Sequence, residues 1–119
     1  MGWAGLDQRE FPRYSARCDI TISDGGETLK SKTQNVGVGG VCVLLNKELQ
    51  KLSQVKLHLV MDESMRPIEC EGRIVWMIPS KELASPKKHY DTGIEFLNLD
   101  PKDRDRIEVF VRRLVVKHG

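Results

Sequence analysis

Cysteine is scarce in this 119-residue chain, and its three copies, Cys18, Cys42 and Cys70, are odd in number and far apart. That pattern fits neither a disulfide framework nor a zinc site, and it suits a reducing cytoplasm. Aromatic residues make up only 6%, too few for a platform that stacks single-stranded nucleic acid. Strong charge of either sign is missing as well. A formal net charge of +2 is too mild for a general nucleic-acid binder. No apolar run approaches the ~18 residues that would span a bilayer, so no membrane insertion is expected. The opening Met1-Gly2-Trp3-Ala4-Gly5 lacks the basic and apolar regions of a signal peptide. Gly2 follows Met1, but Leu6 stands where a myristoylation motif places Ser or Thr.

The constellations of catalysis are missing too. His58, His89 and His118 are scattered, with no acidic or cysteine partner at a diagnostic spacing. There is no nucleophile elbow and no Gly-Lys-Ser/Thr phosphate loop. Glu69 and Glu71 share a strand face and read as solvated surface. We therefore expect no enzyme, no metal and no cofactor.

What is present is one soluble domain's worth of chain, 39% hydrophobic and 30% charged. From Tyr14 to Ile22, apolar or small residues alternate with polar ones, which predicts a half-buried strand. Ser23-Asp24-Gly25-Gly26 predicts a turn, and Glu27 to Gln34 a polar-faced return strand. Val41 to Leu45, Val55 to Met61, Ile68 to Ile78 and Tyr90 to Leu97 supply four more. In the third of these, Ile68, Cys70, Ile74, Trp76 and Ile78 share the inward parity. That makes Trp76 a core residue; an exposed stacking face for a base is the other reading. Gly72 within it suggests a bulge or a close backbone approach. Pro79 to His89 reads as an exposed loop.

After Asp100 the period changes. Asp100 suits an N-cap, Pro101 the first helical position and Asp103 the first turn. Ile107, Phe110, Val111 and Leu114 follow helical spacing. Val109 and Val116 fall opposite, as ordinary exposed valines or part of a self-association surface, so a monomer or weak homodimer is expected. Six short strands and a terminal helix make the fold mainly β: a six-stranded antiparallel β-barrel with a C-terminal α-helix.

Two stretches stand out. Arg9-Glu10-Phe11-Pro12-Arg13 sets two guanidinium groups around a proline that excludes a helix. They are either solvated arginines of a loose terminus or an arm suited to phosphate and the O6/N7 edge of guanine. Asn35-Val36-Gly37-Val38-Gly39-Gly40 has glycines free to take positive φ and to admit a ligand closely. It is either an anion-binding bend with a base-reading amide or simply a tight hairpin.

In order, Arg9-x-x-x-Arg13 and Asn35-x-Gly37-x-x-Gly40 resemble the PilZ domain, whose fingerprint is R-x-x-x-R followed by [D/N]-x-S-x-x-G. Gly72-Arg73-Ile74-Val75-Trp76 and Gly93-Ile94-Glu95-Phe96 also look like that family's strand endings. The resemblance runs from Gln8 to the final helix. It implies a single PilZ domain, with a flexible arm over 1–13, the barrel over 14–98 and the helix over 99–119. It also implies a cytoplasmic sensor of the bacterial messenger cyclic di-GMP, relaying to an unidentified effector protein in motility or biofilm control. Arg9 and Arg13 would grip phosphate and guanine, and Asn35 with Gly37 and Gly40 would meet the other side. Gln8 holds the position that influences whether one nucleotide or a stacked pair is held. Gly37 departs from the family's serine. One uncharged hydrogen bond is worth about 0.5–1.5 kcal/mol, or tenfold in affinity at most. The departure also motivates an alternative, a degenerate protein-interaction adaptor that binds no nucleotide.

Overall fold

The alternating segments become strands in the computed structural model, which describes residues 13–80 and 88–118, with side chains at 14–80 and 88–114. The strands are β1 (Arg13–Ser15), β2 (Asp19–Ser23), β3 (Thr28–Gly37), β4 (Gly40–Leu45), β5 (Gln54–Val60), β6 (Ile68–Pro79) and β7 (Tyr90–Leu97). One helix, α1 (Pro101–His118), follows. Gln8 and Arg9 lie outside the described residues, as does 81–87 of the loop expected at 79–89.

Every pairing is antiparallel. The order β3-β2-β5-β6-β7-β4 closes through a β3–β4 pairing into the expected six-stranded barrel with its C-terminal helix. Closure leaves the ring no free edge. Ile20, Ile22, Val36, Val41, Val43, Leu59, Ile68, Ile74, Ile94 and Ile107 are at most 2% exposed. Burying each such side chain contributes about 1.5–3 kcal/mol. Asp100 caps α1: its Oδ1 accepts the Lys102 N–H at 2.8 Å. Ile107 joins the barrel core, with Phe110 and Val111 packed against it, while Val109 is exposed. Among the described residues, no helix is long and apolar enough to cross a membrane.

The strand read from Tyr14 to Ile22 is interrupted. Ser15 pairs with Asn35 and Asp19 with Lys32, so four steps on one side meet three on the other. The extra residue is a bulge, and Thr33, 1% exposed, fills it. Its hydroxyl donates to the Ala16 carbonyl at 2.7 Å and accepts the Cys18 N–H at 2.9 Å. Thr33→Val keeps the shape but strands both backbone groups. We expect it to lower stability by about 2 kcal/mol, read as a lower urea midpoint with an unchanged slope. A midpoint equal to wild type would show that the bulge holds without the hydroxyl.

A second bulge corrects the reading of β6. Ile74 pairs with Ile94, but Trp76 pairs with Gly93, so Val75 is an extra residue and parity flips beyond it. Met77 turns to the core and Ile78 is 56% exposed. Trp76 is carried to the outer face. Gly72 is a close approach rather than the bulge: a Cβ there would lie 2.7 Å from Ile94 Cγ2 and 2.8 Å from Leu57 Cδ1.

Candidate functional site

Register sets three rows of residues across the sheet. The middle row, Ile74–Ile94–Val41–Val36, is fully buried in the core. Successive residues on a strand face opposite ways, so the flanking rows lie outside. One flanking row runs Trp76–Gly93–Cys42–Asn35–Ser15 over β6, β7, β4, β3 and β1. The other runs Arg73–Glu95–Gly40, crosses the β3–β4 bend to Gly37, and ends at Arg13.

Glycines form the floor of this outer surface. A Cβ on Gly40 would lie 2.2 Å from the Ile94 carbonyl oxygen and 3.0 Å from the Glu95 Cα. The bend is thus pressed onto β7, and the Phe96 N–H donates to the Gly39 carbonyl at 2.9 Å to hold it there. A Cβ on Gly93 would lie 2.3 Å from the indole of Trp76, so the ring rests directly on the β7 backbone. The expectation of positive φ in the bend is not met. Among the described glycines it is Gly25, in the β2–β3 turn, that has φ of +97°. Position 40 needs glycine because β7 leaves no room for a side chain there.

The polar groups around the floor are few. Asn35 Oδ1 is buried and meets no donor among the described residues. The Cys42 thiol donates to Gln34 Oε1 at 3.3 Å. Arg73 Nη1 lies 3.4 Å from Glu95 Oε1, with both side chains partly exposed. Of the residues expected to form the site, Asn35, Gly37 and Gly40 lie together, and the backbone of Arg13 joins them opposite Gly37. Gln8 and Arg9 fall outside the described residues. Gly93, Arg73 and Glu95 were not expected there, and Trp76 only under the second of its two readings, as a stacking face. The Gly72–Trp76 and Gly93–Phe96 segments were the available signal, but only register across β6 and β7 places them.

Elsewhere the chemistry is quiet. His58 Nδ1 pairs across β5–β6 with Glu69 at 3.2 Å. Glu71 accepts from Gln54 and Asn98, so the two glutamates serve different partners. Burial pushes the Cys70 thiol up to about 11 and also raises Cys18, which keeps both thiols protonated and unreactive near neutrality. Among the described residues, no group of three or more His, Cys, Asp or Glu could hold a metal ion.

The PilZ domain model matches residues 7–113. The chain belongs to the PilZ domain family. Solved PilZ structures share its fold. The PilZ domain with c-di-GMP of YcgR from Escherichia coli aligns with a TM-score of 0.76 at 16% identity, covering 93% of this chain and 94% of that one. The Bacillus subtilis inhibitor of motility, MotI/DgrA, aligns at 0.77 and 22%, covering 93% and 53%. The K. pneumonia MrkH–c-di-GMP complex aligns at 0.75 and 20%, covering 92% and 53%. This PilZ domain thus spans about half the length of MotI and MrkH. No curated protein matches the chain.

Proposed function

We propose that this PilZ domain is a cytoplasmic sensor of cyclic di-GMP that relays the signal to a downstream effector protein in motility or biofilm control. The ligand lies on the outer face over Gly37 and Gly40, beside the Trp76 indole that covers Gly93. Arg9 and Arg13 fork onto phosphate and the guanine O6/N7 edge. Asn35 Oδ1 accepts from a guanine, and Gln8 bears on whether one nucleotide or two are held. Filling the site orders the 1–13 arm over the barrel, and that new surface is what the effector reads. The observation that supports the reading is the register: Arg13 pairs with Gly37 and Ser15 with Asn35, so the backbone of Arg13 runs beside the second stretch of the motif. The c-di-GMP complexes of YcgR and MrkH, which share the fold, support the choice of ligand.

Calorimetric titration of the full chain with cyclic di-GMP tests it. Saturable heat is expected, and its stoichiometry separates one nucleotide from a stacked pair. No heat up to high micromolar ligand would overturn the proposal. Gly37→Ser restores the family's hydroxyl and should raise affinity by up to about tenfold.

Gly37 itself favours the second reading, an adaptor whose nucleotide site has decayed. That reading requires partner capture to be indifferent both to cyclic di-GMP and to replacement of Arg9 and Arg13.

A further inference from the structure

We infer that Glu95 is a specificity-determining residue that reads the N1–H and 2-amino edge of a guanine, with Arg73 as its positioning partner. The inference rests on the cyclic di-GMP reading above and adds a residue outside the R-x-x-x-R and Asn-x-Gly-x-x-Gly stretches. Three observations lead to it. Glu95 is the register partner of Gly40 and stands beside the glycine floor. Because a Cβ on Gly40 has no space, the backbone of the bend sits against the Glu95 Cα, and position 40 itself sets no side chain beside the carboxylate. Glu95 is also two residues along β7 from Gly93, where the Trp76 indole rests. Same-face neighbours on a strand are about 7 Å apart, so a base stacked at the indole presents its edge to the carboxylate.

The donor pattern then selects the base. An ionised carboxylate only accepts hydrogen bonds. Guanine offers two adjacent donors, N1–H and the 2-amino group, whereas the same edge of adenine offers none at those atoms. Arg73 Nη1, 3.4 Å from Oε1, restrains the carboxylate from the β6 side and leaves Oε2 to the ligand. Asn35, which accepts through Oδ1, is two strands away on β3. The two acceptors therefore serve separate ends of a ligand with two guanines.

The test is a titration of wild type and Glu95→Gln with cyclic di-GMP and with cyclic di-IMP, which lacks the 2-amino groups. Thermal melts accompany it to establish equal folding. We expect Glu95→Gln to weaken cyclic di-GMP by about tenfold. We expect the wild-type penalty for cyclic di-IMP to shrink by at least about fivefold in the variant, as coupled partners require. Equal cyclic di-GMP affinities, or equal penalties in the two proteins, overturn the role of Glu95 and leave the sensor intact. A wild type that binds neither nucleotide overturns both.

Discussion

Replacing Arg9 and Arg13 together by alanine should remove cyclic di-GMP binding while the barrel melts as before. Each guanidinium supplies charge-assisted, forked hydrogen bonds to phosphate or to a guanine edge. Hydrogen bonds to charged groups contribute about 1.5–3 kcal/mol each, so losing both arginines should cost at least about a hundredfold in affinity. Stability should hardly change. Arg13 contributes its backbone to β1, and an alanine makes the same ladder pairs with Gly37. The measurement is a paired titration and thermal melt. A double variant that binds within threefold of wild type would place the ligand elsewhere.

Gly40→Ala should do the opposite and strike the fold first. The added methyl would sit 2.2 Å from the Ile94 carbonyl oxygen and 3.0 Å from the Glu95 Cα. Both are backbone atoms of a central barrel strand, so neither can swing aside as a side-chain tip would. The bend must lift from β7, and the Phe96–Gly39 hydrogen bond opens with it. Overpacking of this kind costs about 3 kcal/mol, which lowers the melting temperature of a domain this size by roughly 10 °C. Gly26→Ala is the matched control, since nothing lies within 4 Å of a Cβ there. If the two variants melt together, the contact at Gly40 is not a structural constraint.

Much of the fold could be read along the chain because its signals are local. Alternation from Tyr14 marks the first strand pair, and the cap at Asp100 marks the change to helical period. The bulges could not be read, because each depends on a partner strand. At Trp76 the parity flips since Gly93, seventeen residues on, leaves room for an indole. A period-2 count carried through Val75 therefore turned Trp76 and Ile78 inward, whereas β6 exposes Ile78 and lays Trp76, half-buried, on the outer face. The site divides the same way. Asn35, Gly37 and Gly40 form a contiguous motif, and so they could be picked out together. The reason Gly40 must be glycine lies in β7, and so the bend was expected to use a backbone angle it does not adopt. Glu95 and Arg73 meet only through register.

Among the described residues β1 pairs with β3 alone, whereas the closed ring runs through the other six strands. Detaching it breaks three residue pairs and its packing against α1 but opens no barrel seam. The N-terminal edge can therefore come loose and re-seat as a unit of its own, at a free energy well below that of global unfolding. A ligand bridging Arg13 and the glycine floor would lock that edge down. Part of its intrinsic affinity would be spent on the locking, and the population of the seated edge would report the messenger's concentration.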